Sequence, residues 1–138
     1  MITRRDAIAS TPLLLLAQAA AQAQTAAVQS GGQKPVFQQD LPNITMDGWQ
    51  VTVSEIHEAP GQVGRPHRHP GFVLVYVLEG AVVAKISDGP EKVYKAGEMF
   101  YEFPGSTHQV SRNASATEPA RFLAFIFAKK GLPLTTPA

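Results

Sequence analysis

Residues Gly61 to Gly80 read GQVGRPHRHPGFVLVYVLEG, and two features of this stretch govern the rest of the reading. His67-Arg68-His69 spaces two imidazoles one residue apart. On an extended backbone alternate side chains share a face, so both rings project to the same side and can chelate one ion. The run that follows, Phe72–Leu78, is apolar at both parities and rich in β-branched and aromatic residues. A strand of that composition is covered on both faces, by a second sheet or by another subunit. Glu79-Gly80 closes it in a turn, with Glu79 expected in solvent.

The same grammar continues outward. Short apolar runs separated by Gly/Pro turns predict strands at Trp49–His57, Ala81–Ile86, Lys92–Tyr94, Met99–Phe103, His108–Arg112 and Arg121–Ala128. No segment offers three turns of helix, and no repeat of 20 to 50 residues is visible, which argues against a solenoid or a propeller. Asp88-Gly89 predicts a tight hairpin turn with positive φ. Phe122–Phe127 is again apolar at both parities, so a homodimer is expected. Tyr76, Tyr101 and Phe103 are assigned to the core. His108 follows the turn Phe103-Pro104-Gly105, which is placed to bring a strand back beside the first histidine pair. His57 is expected at an exposed strand end, and Arg65 and Arg68 flank the histidine pair, either solvated or steering an anion to it.

Composition narrows the function classes. In 138 residues, 12 Lys+Arg against 11 Asp+Glu leave a net charge of +1, so no basic field exists for a nucleic-acid backbone and none is expected as a partner. The absence of cysteine excludes thiol catalysis, iron–sulfur ligation and disulfides, leaving four histidines and the carboxylates as metal ligands. Residues 1–23 carry Arg4-Arg5, a Leu13–Leu16 run and Ala21-Gln22-Ala23, the three regions of an export signal, here of twin-arginine type. The apolar stretch is interrupted too often for a retained membrane anchor, which needs about 20 apolar residues. Residues 24–39 read as a flexible linker, 40–132 as an all-β barrel domain and 133–138 as a tail. The expected location is periplasmic or secreted.

Around the histidines the chain resembles the cupin superfamily of jelly-roll β-barrels. Gly61, His67, His69 and Gly80 stand at the places of the first cupin motif, with Val73 where the motif has glutamate. Gly97, Gly105 and His108 match the second motif, with Pro104 and Asn113 each one place late. The resemblance implies a divalent transition metal on His67, His69 and His108, with Fe²⁺ favoured and Ni, Mn, Cu or Zn compatible. Glu102, six residues before His108, resembles the outer-shell carboxylate of diketone-cleaving cupins and is the candidate catalytic residue. Direct ligation or a solvated position is also compatible with its sequence context, just as a lone His-x-His is compatible with surface polarity.

Two functions follow as expectations. One is an exported metal-dependent dioxygenase acting on a small enolisable or aromatic substrate, with three neutral imidazoles leaving the ion its full charge and open positions. The other is a non-catalytic domain that binds a metal or small molecule. A metal-independent isomerase fits the His-x-His less well.

Overall fold

A computed structural model describes residues 32–138. The segment expected to be an export signal, and the first part of the expected linker, lie outside the described residues. The compact unit runs from Pro35 to Ala138, and among the described residues it is all β, with no helix.

Two antiparallel sheets make the domain. One contains β1 (Trp49–Glu58), β8 (Ala120–Lys129), β3 (Phe72–Glu79) and β6 (Met99–Glu102) in the spatial order β1-β8-β3-β6. The other contains β5 (Lys92–Lys95), β4 (Ala81–Ile86), β7 (Thr107–Asn113), β2 (His67–Arg68) and β9 (Thr136–Pro137) in the order β5-β4-β7-β2-β9. The seven expected strands are all present. β2 and β9 are too short to show a periodicity in the sequence.

Alternation sorts each long strand into an inner and an outer face. Val73, Val75 and Val77 point inward from β3 and meet Phe122, Ala124 and Ile126 of β8, Phe100 of β6, and Val82 and Ala84 of the opposite sheet. The three valines are essentially inaccessible, and each contributes about 1.5–3 kcal/mol of burial. Register then dictates what faces out. Because Phe100 and Glu102 point inward, Tyr101 and Phe103 cannot, and Phe103, expected in the core, is 46% exposed. Tyr76 and Tyr101 are half-buried on the same outer face.

The hairpin between β4 and β5 also differs from expectation. The residue at positive φ is Ser87 (47°), not Asp88 or Gly89. Its N–H donates to the Thr107 carbonyl, and its hydroxyl accepts from the Thr107 N–H, so contacts with the neighbouring strand hold it there. At Gly71, before β3, a Cβ would stand 1.9 Å from the Phe127 carbonyl oxygen and 2.8 Å from the Trp49 ring. Only glycine lets β3 enter against β8 at this distance.

Candidate metal centre

β2 delivers the histidine pair. His67 sits opposite His108 of β7, Arg68 opposite Thr107, and the other edge of β2 pairs with β9. The His67 Nδ1–H donates to the Arg65 carbonyl at 2.8 Å, and the His69 Nδ1–H donates to the Leu134 carbonyl at 2.6 Å. Each bond fixes the ring tautomer and leaves the Nε2 lone pair free as a ligand. Burial holds the His67 imidazole below its ordinary range, although the Arg65 carbonyl favours the protonated ring. A neutral ring is the form that binds metal.

His108 reaches the same space through a β-bulge. On β4, Ala84 pairs with Ser111 and Lys85 with Val110, but Ile86 pairs with His108, so Gln109 is the extra residue of β7. Strict alternation from Ser111 would point Gln109 inward and His108 outward. The bulge reverses this, leaving Gln109 exposed and His108 buried. The His67 ring centroid lies 5.1 Å from that of His69 and 4.9 Å from that of His108.

Glu102 completes the group. It lies directly across from Val73 in the β3–β6 pairing, so its carboxylate enters the barrel beside the position where the motif glutamate would stand. It is 4% exposed, with Oε2 3.7 Å from His69 Nε2 and Oε1 3.3 Å from His108 Nδ1. Both separations exceed the roughly 2.7–2.9 Å of a charge-assisted hydrogen bond. They are spacings that an ion bonded at about 2.0–2.2 Å to each donor can bridge.

Among the described residues, donor atoms of His67, His69 and Glu102 all lie within 4.8 Å of one another. His108 stands beside this trio, and its Nε2 is buried without a hydrogen-bond partner. The resemblance placed Glu102 outside a three-histidine set, whereas the geometry puts its carboxylate among the donors. His67, His69 and the buried Glu102 carboxylate form a donor set suited to a divalent transition metal, and His108, which faces Glu102 through Nδ1, falls outside that 4.8 Å group.

The group opens onto a cavity of about 330 Å³, walled by Ile56, Val75, Phe122, Ala124 and Ile126 and edged by Glu58, Gln62 and Ser111. Arg68 does not enter it; its Nε donates to the Thr107 hydroxyl at 2.9 Å. His57 is exposed and pairs with Glu55 at 3.1 Å, and Glu79 pairs with Arg121 at 3.4 Å on the outside. Two contributors escaped the sequence reading. Leu134, in the segment taken for a tail, supplies the carbonyl that orients His69. Glu58 carried no motif signal, and only its inward parity on β1 marks it.

The model for the cupin domain matches residues 54–126, which spans both histidine motifs and more than half of the chain. The chain belongs to the cupin family. A double-stranded β-helix protein from Klebsiella pneumoniae resembles this cupin with a TM-score of 0.54 and 26% identity, over 64% of this chain and 74% of that one. A predicted oxalate decarboxylase from Thermotoga maritima gives a TM-score of 0.51 and 25% identity, over 59% and 69%. A recombinant oxalate oxidase, at 21% identity and a TM-score of 0.53 over 78% and 66%, shares the fold. No curated protein sequence matches this cupin. The resemblance to known cupins and the cluster of imidazoles and carboxylate agree in describing a metal-binding barrel.

Proposed function

We propose that this cupin is an exported, metal-dependent dioxygenase, in which His67, His69, His108 and Glu102 hold a divalent ion, Fe²⁺ by preference, and the cavity receives a small enolisable or aromatic substrate. The observation that carries the reading is the position of Glu102. Its carboxylate crosses from β6 to the face left without one by Val73, and so joins the imidazoles. When bound, such an ion supplies Lewis acidity and open positions for a chelating anion and dioxygen.

The chain's own residues do the remaining work in this reading. The Arg65 and Leu134 carbonyls hold two imidazoles in their ligating tautomer. The apolar walls from Ile56, Phe122 and Ile126 strip water from the ligand and strengthen its attraction to the buried charges. Glu102, in contact with His69 and His108, is placed to accept the proton that a 1,3-dicarbonyl loses on enolisation. The likeness to a predicted oxalate decarboxylase from Thermotoga maritima, at 25% identity, favours a second reading: cleavage of a short dicarboxylate without net oxidation.

The purified protein, with its metal content measured, separates the readings. Near-stoichiometric iron with oxygen uptake on a panel of 1,3-diketones and catechols supports the dioxygenase. Carbon dioxide release from oxalate without oxygen consumption supports the second reading. Metal retention with neither reaction leaves a binding domain. Glu102→Gln lowers metal content and turnover together if the carboxylate is a ligand. Metal content unchanged in both Glu102→Gln and His108→Ala overturns the site.

A further inference from the structure

Glu58 lies outside the ligand cluster and has no role in the fold that its side chain explains. It ends β1 on the inner face, where Thr52, Ser54, Ile56 and Glu58 alternate with exposed Val51, Val53, Glu55 and His57. It is 4% exposed, and its Oε2 is buried without a hydrogen-bond partner. Among the described residues no lysine, arginine or histidine stands within ion-pairing distance of it. Its main chain is already satisfied, by pairing with Ala120 and by the Asn113 amide. A leucine there would cost the fold less than an unpaired carboxyl. The side chain instead borders the cavity that contains His67, His69, Glu102 and His108, next to the apolar walls of Ile56 and Phe122.

We propose that Glu58 is a ligand-anchoring residue, whose carboxyl O–H donates a hydrogen bond to an acceptor oxygen of a small bifunctional acid held through its other oxygen group at the His67–His69–Glu102 cluster. The inference rests on the metal-site reading above and adds the ligand class: two oxygen functions joined by a short apolar spacer. Burial raises the Glu58 carboxyl above its ordinary range, opposed by the field of His108, and so favours the protonated, donating form. The walls from Ile56, Val75, Phe122, Ala124 and Ile126 are apolar, and the other polar side chains of the lining, Ser54, Gln62, Ser111 and Thr135, carry no charge.

Calorimetric titration of the Ni²⁺-loaded protein with succinate, glutarate and adipate, each against its matched monocarboxylate (butanoate, pentanoate or hexanoate), tests this. At least one dicarboxylate binds about tenfold more tightly than its partner, the worth of one charge-assisted hydrogen bond. In Glu58→Leu that ratio falls to about one, whereas Glu58→Gln, whose amide still donates, retains most of it. In metal-free protein Glu58→Leu melts at or above the parent temperature, because an unpaired buried carboxyl is lost. Equal binding of both series by the parent protein, or an unchanged preference in Glu58→Leu, overturns the anchor and leaves the cluster standing. A lower melting temperature for metal-free Glu58→Leu makes Glu58 a folding residue and also overturns it. Failure of both series to bind overturns the cluster reading, and the anchor with it.

Discussion

Asn113→Asp is a nearly isosteric change at a buried junction, and its cost follows from the donors it removes. The Asn113 Nδ2 lies 2.8 Å from the Glu118 carbonyl, 3.1 Å from that of Ala59 and 3.3 Å from that of Glu58. Its Oδ1 accepts the Ser115 N–H at 2.8 Å. The side chain therefore ties the loop before β8 to the end of β1. In the aspartate variant the Ser115 bond survives, but an oxygen faces three carbonyl oxygens. Two donor hydrogens are lost at about 1 kcal/mol each, for a total of about 2 kcal/mol. In a domain of this size each kcal/mol shifts Tm by about 4–8 °C, so Asn113→Asp melts at least about 8 °C below the parent at neutral pH. The loss depends on pH with a definite sign. Once protonated, the introduced carboxyl regains one donor, so its folded-state pKa stands above the unfolded value of about 3.9. The deficit is then smallest below that value and grows as pH rises through the folded-state pKa. Thermal unfolding followed by circular dichroism at acidic and neutral pH checks both points. A deficit under about 1 kcal/mol at neutral pH, or one independent of pH, refutes the clamp.

Three further outcomes follow from the geometry. Ending the chain at Leu132 removes β9 and the Leu134 carbonyl that orients His69, and metal affinity measured by competition with a chelator falls about 10–100-fold. The half-buried outer face of Tyr76, Leu123 and Phe125, continued by exposed Val53, is the surface we expect a second copy to cover; Phe125→Glu yields a monomer in sedimentation where the parent is a dimer. His67, with a folded-state pKa lowered by burial, contributes stability above its unfolded pKa of about 6.5 that is lost as pH falls through the lower folded value. The melting temperature of metal-free protein therefore declines on the acid side of that pH, and His67→Gln flattens the decline.

Much of this architecture was legible along the chain, because it depends on local pattern. Alternation, β-branched runs and Gly/Pro turns located seven strands; β3 and β8, apolar at both parities, are the inner strands of their sheet. The His-x-His spacing put two rings on one face without reference to the fold. Three decisions belonged to the tertiary structure. The inward aim of His108 depends on an extra residue at Gln109, and a bulge is visible only against the partner strand β4. The approach of Glu102 to the imidazoles depends on the register that sets it across from Val73, twenty-nine positions earlier in the chain. The tautomer of His69 depends on a carbonyl from the last residues, which pair with β2 through backbone atoms that no side-chain pattern reports. Periodicity assigns a face within one strand. Which side chains meet across strands is set by register and bulges, which arise only when the sheets close.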